Sequence, residues 1–203
     1  MRMRVSDMAG RASIELKGRE LGIDLTGRKE LISRVTERVK AAEAQGYTYD
    51  AADASFELLL REEIDGQRPG YFAIESWRAI ITTTPGNLEQ PESEATVKLR
   101  TGQGRQVITG EGNGPVNALD AALRAALVGA YPELEQFELT NFKVRILDSQ
   151  QGTDATTRVL IDTTDTVRSW STVGVGTNVI EASWEALVDA YVYGLLQHGV
   201  TPR

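Results

Sequence analysis

Cysteine is absent, and histidine occurs once among the 203 residues. The first absence excludes disulfides, thiol catalysis and cysteine-ligated zinc. The second leaves no His-x-His or His-x-Glu spacing for a catalytic metal, and no Ser/His/Asp arrangement. The lone His198 sits in "LLQHGV", where it reads as a helix C-terminal residue before Gly199. Positive charge is also scarce: 22 Lys and Arg face 29 Asp and Glu, a formal net charge of -7. No dense basic run occurs, so nucleic acid, which needs clustered Lys and Arg, is not an expected partner. No apolar run reaches the ~18 residues of a membrane span. The opening "MRMRVSDMAG" lacks the apolar stretch of a signal peptide. A cytoplasmic protein with no membrane partner is the expectation.

What is present is ordinary in amount and informative in order. With 41% hydrophobic and 25% charged residues, the chain has the composition of a globular protein with one or two domains. Residues 1–66 read as helical. "RKELISRVTERVKAAEAQG" places Leu31, Ile32, Val35, Val39 and Ala42 on one face, and Gly46 stops it. "DAADASFELLLREEIDG" follows, with Asp50 as N-cap, Phe56, Leu59, Leu60 and Ile64 as the apolar stripe, and Gly66 as the end. Its charged part, "ELLLREEID", reads as a solvated face. The turn-rich "DGQRPG" (65–70) is the expected joint between domains 1–66 and 67–203.

Beyond the joint the period changes to that of strands. "GYFAIESWRAIITTT", "EATVKLRT" and "RQVITGEG" are strands, the last two flanking a "GQG" hairpin turn, and Pro115–Ala130 is a helix. The same order recurs in "FELTNFKVRILD", "DATTRVLIDTT", "TVRSWSTVGVG" and the helix of "NVIEASWEALVDAYVYGLLQHG". An offset of 64 residues aligns Gly110 with Gly174, Gly112 with Gly176, Ala118 with Ala182, Ala122 with Ala186 and Leu123 with Leu187. The fold class is therefore α+β: two pseudo-symmetric βββα units, about 67–131 and 132–203, preceded by helices. Trp77, Trp170 and Trp184 belong to the core or to a dimer interface.

"GEGNGPVNALDAAL" (110–123) is the chemically suggestive stretch. Its Gly-x-Gly-x-Gly spacing before a proline is not the dinucleotide fingerprint, and no Gly-x-x-x-x-Gly-Lys-Ser/Thr loop exists. Glycines permit positive φ and close backbone approach, and the helix start exposes N–H groups suited to a carboxylate or a phosphate. Residues alone leave two readings open: an anion site, or a strand-to-helix turn that needs glycine for its geometry. The second copy, "TVGVGTNVIEASW", offers Asn178 as an N-cap.

These stretches, with "YPELEQFELTNFKVRILD" and "GTDATTRVLIDTTD", resemble the C-terminal regulatory domain of the 2-isopropylmalate synthase and citramalate synthase family. "VSDMAGRASIELKGRELGIDL" resembles its linker, and "GYTYDAADASFELL" resembles the citramalate synthase branch. The resemblance implies a fragment of an acyltransferase. The missing N-terminal barrel would hold the divalent metal and the site joining acetyl-CoA to a 2-oxo acid. The fragment itself would need no cofactor and would not catalyse the condensation alone.

It further implies a homodimer that binds a branched-chain amino acid, isoleucine or leucine, as feedback effector. Carried over by motif, the effector loop is Gly112, Asn113, Gly114, Pro115, Val116 and Asn117. Leu139, Phe142 and Ile146 would form an apolar wall, with Val175 from the second unit. Glu111 departs from this scheme by adding negative charge beside a carboxylate site. Within "SDMAGRAS", Ser6, Gly10 and Arg11 would either position the barrel or serve interdomain packing. The rival expectation is a purely structural dimerisation module that binds no effector.

Overall fold

The structure is a computed structural model that describes residues 10–83, 92–147 and 155–203. Ser6 and most of the loop before the second strand lie outside them. The helices α1 (Arg11–Glu20), α2 (Lys29–Ala44) and α3 (Asp53–Asp65) come first. Then follow β1 (Ala73–Thr82), β2 (Glu92–Thr101), β3 (Gly104–Gly112) and α4 (Pro115–Leu127). A short 3-10 turn, Pro132–Gln136, leads to β4 (Glu138–Ile146), β5 (Thr157–Thr164), β6 (Ser169–Gly176) and α5 (Val179–Gln197). The strands form two three-stranded sheets, ordered β1-β2-β3 and β4-β5-β6. The protein is thus α+β and contains two βββα units, as its repeated pattern predicts.

Packing divides the chain into two compact units that do not follow chain order. The first gathers the described residues up to Arg68 with those of Leu139–Thr164 and Arg168–Tyr193. The second holds those of Pro69–Glu138, Asp165–Val167 and Gly194–Arg203. The N-terminal helices therefore share a core with the second sheet, joining Ile14, Ile32, Val35, Val39 and Phe56 to Val173 of β6.

Within the second unit, α4 lies across β2 and β3. It turns Ala118, Leu119, Ala122, Leu123, Ala126 and Leu127 toward the buried Ala95, Val97 and Leu99 of β2. Tyr131 is the polar hub there. Its hydroxyl donates to the Tyr71 carbonyl at 2.7 Å and accepts from the Arg203 N–H at 2.8 Å.

Two details of α3 correct the sequence reading. The helix starts at Asp53 with Ala52 in the N-cap position and no side-chain cap, so Asp50 does not cap it. Its charged part is not a solvated face. Glu57 is buried and accepts from Tyr193 at 3.0 Å and from Arg61 at 2.8 Å, while Glu62 and Glu63 hold Arg38. Counting charges along a helix does not reveal which of them tertiary contacts enclose. Gly66 does end α3, in the left-handed conformation at φ 74°.

Candidate functional site

Four of the repeated glycines owe their presence to close approach, whereas a Cβ on Gly114 would meet nothing within 4 Å. Gly110, Gly112, Gly174 and Gly176 are absent from the positive-φ residues of the described chain. What they lack is room. A Cβ on Gly110 would stand 2.5 Å from Ala122 N, and one on Gly112 would stand 2.6 Å from Ala118 N. In the first unit, a Cβ on Gly176 would stand 2.9 Å from Ala182 N, and one on Gly174 would overlap the Ala182 carbonyl oxygen. Each third strand of a βββα unit is therefore pressed directly onto the backbone of the helix that follows it.

Strand alternation then settles where Glu111 points. Gly110 and Gly112 face α4, so Glu111, between them, projects from the opposite face beside its cross-strand partner Glu94. Its charge is directed away from the start of α4.

The two helix starts differ. At α5, Asn178 Oδ1 accepts from the N–H groups of Ile180 and Glu181, each at 3.0 Å. Glu181 reaches back to the Thr177 N–H at 3.2 Å and to its hydroxyl at 2.7 Å. Asn178 thus caps α5 with its side chain, and the bonds from Thr177 hold the Glu181 carboxyl below its usual range. At α4, Gly114 is the N-cap, no side chain caps the helix, and Pro115 opens the first turn. Asn117 Oδ1 accepts instead from the Asn113 N–H, at 3.3 Å, which folds the loop back on itself. Val116 and Asn117 therefore begin a helix whose first N–H groups have no side-chain acceptor. Asn113 and Asn117 are exposed, and Gly112, Gly114, Pro115 and Val116 are half-buried.

Gly112–Asn117 lies in the second unit, whereas Leu139, Phe142, Ile146 and Val175 lie in the first. On β4, alternation puts Phe142 and Ile146 on one face with Val144 between them, and Leu139 on the other. Phe142, Val144 and Ile146 are exposed at 45%, 46% and 61%. Val175 is half-buried on β6, its N–H donating to Glu185 at 2.9 Å. Gly10 is the N-cap of α1 and Arg11 its first residue, both exposed. His198 follows the end of α5, and its Nε2 lies 2.9 Å from Asp165 Oδ2. That partner, 33 residues away, could not be read from the local sequence.

A profile of the LeuA allosteric (dimerisation) domain matches residues 50–195. The chain belongs to that family. It is 62% identical over its whole length to an (R)-citramalate synthase of Streptomyces coelicolor and covers 38% of that protein. It is 42% identical over 95% of its length to an (R)-citramalate synthase of Aquifex aeolicus, covering 36% of it. A 2-isopropylmalate synthase of Erwinia tasmaniensis is more distant, at 25% identity over 94% of the chain and 33% of the relative. The chain thus spans little more than a third of the relatives it matches. Among the described residues no helix is long and apolar enough to cross a membrane, and no group of His, Asp or Glu could hold a metal ion.

Proposed function

We propose that this chain is the feedback-regulatory and dimerisation part of an acyl-CoA-dependent enzyme that condenses acetyl-CoA with a 2-oxo acid. The greater identity to proteins named (R)-citramalate synthase than to those named 2-isopropylmalate synthase favours the citramalate branch. In this reading residues 1–66 are the linker and 67–203 the regulatory domain. The divalent metal and acetyl-CoA belong to a catalytic barrel preceding the linker. The effector is the end-product amino acid, isoleucine in the citramalate branch and leucine in the other.

The observation that carries the effector reading is the uncapped start of α4 beside its capped counterpart on α5. An amino-acid carboxylate supplies what Asn178 supplies to α5: an oxygen acceptor for first-turn N–H groups. Gly112 and Gly114 keep side chains out of the approach. Pro115 removes a donor that would have no partner. Leu139, Phe142, Ile146 and Val175 are the proposed apolar contributors, discriminating isoleucine from leucine by roughly 1–3 kcal/mol.

Calorimetry of the 203-residue chain with isoleucine and with leucine tests this reading. Saturable heat for one of them, lost in Gly114→Val, is expected. No heat and no thermal shift from either, with a dimer still present in sedimentation, would leave the dimerisation module as the correct reading.

A further inference from the structure

The carboxylates of Glu185 and Asp189 lie one helical turn apart on α5 and border a cavity of about 310 Å³. Every residue lining it belongs to the first unit. The volume falls at the small end of the range for ligand pockets, ~300–1,000 Å³. Three carboxylates (Glu62, Glu185, Asp189) and two guanidiniums (Arg38, Arg68) reach it.

Both guanidiniums are already committed. Arg38 holds Glu62 at 3.0 Å and Glu63 at 2.9 Å, and Arg68 holds Asp189. Glu185 is different. Its Oε1 accepts from the Tyr47 hydroxyl at 2.6 Å and its Oε2 from the Val175 N–H at 2.9 Å, both neutral donors. The cavity therefore keeps a half-buried carboxylate whose charge these donors do not balance and whose oxygens have lone pairs to spare. Tyr47 and Tyr49 stack at 6.3 Å on the same wall, and aromatic faces attract cations. Burial, together with Glu185, pushes the Tyr47 phenol up, so it stays a neutral donor.

We propose that this cavity binds a small primary ammonium ion, anchored by Glu185 and flanked by Tyr47 and Tyr49. Three N–H donors on one compact head match the spare acceptors of Glu185 and the neighbouring Asp189. A divalent metal does not fit, because no group of acidic side chains among the described residues could hold one. Its lining contains none of Gly112–Asn117, which belong to the other unit.

The test is a titration of the full chain with n-butylammonium chloride, followed by 1H–15N NMR. Two backbone amides report directly: Val173 donates to Ser55 Oγ at 3.0 Å and Val175 donates to Glu185. Saturable shifts at both are expected, with the amides of Gly112–Asn117 unmoved. Glu185→Gln, which still accepts from Tyr47, should weaken binding about tenfold, the effect of losing a hydrogen bond to a charged group. Tetramethylammonium, which has no N–H, should bind more weakly to the unaltered protein by a similar factor. That arm remains decisive if the variant fails to fold. Absent or non-saturating shifts, equal binding of tetramethylammonium, or equal binding to a folded Glu185→Gln would each overturn the proposal.

Discussion

At the scale of single residues, the paired glycines mark where a helix backbone rests on a strand. A methyl group at Gly174 would meet the Ala182 carbonyl oxygen and stand 2.8 Å from Ala186 N, both backbone atoms that cannot rotate aside. Gly174→Ala should therefore destabilise the protein by about 1–3 kcal/mol, the usual cost of overpacking. Gly129 offers the control, since a Cβ there meets nothing within 4 Å. Gly129→Ala should stay within about 0.5 kcal/mol of the parent, as open surface substitutions do. Paired denaturant melts of the two variants check this, and equal midpoints would refute the close-approach account. The caps make a similar contrast. Asn178→Ala should cost about 0.5–2 kcal/mol, because its Oδ1 serves two N–H groups of α5.

At the scale of elements, α5 carries the buried carboxylate that governs a pH response. Burial pushes Asp189 up to about 6, against the pull of Arg68 and the Ser55 hydroxyl, with Glu185 adding to the rise. A folded pKa above the unfolded one means that the folded state binds more protons between them. Stability from this group is then greatest below the unfolded value, ~3.9, and is lost as pH rises toward 6. Asp189→Asn has no such titration. The melting temperature of the parent minus that of the variant should therefore fall between pH 4 and pH 7. A difference that grows over this interval would show that pairing with Arg68 outweighs burial.

At the scale of the whole molecule, β4 is an edge strand whose exposed face bears Phe142, Val144 and Ile146. A line of apolar side chains on an open edge invites either a partner or aggregation, and the family is one of dimerisation domains. Val144→Lys together with Ile146→Lys should convert the proposed dimer to monomer in sedimentation. The monomer fold should persist, since both side chains are already exposed. A dimer that survives both charges would place the interface elsewhere.

Much of this architecture is legible in one dimension. Periodicity identified the stripe Leu31, Ile32, Val35 and Val39, because an amphipathic period reports local geometry directly. The 64-residue echo of Gly110 and Gly112 in Gly174 and Gly176 discloses the repeated βββα unit from sequence alone. Only the tertiary structure decided which glycine property mattered, and it proved to be the missing Cβ rather than positive φ. It also decided that α4 starts uncapped where α5 is capped, that Glu57 is buried, and that Asp189 meets Ser55 134 residues away. The reason is physical: local patterns are set by neighbours along the chain, whereas burial and charge pairing depend on segments that only folding brings together.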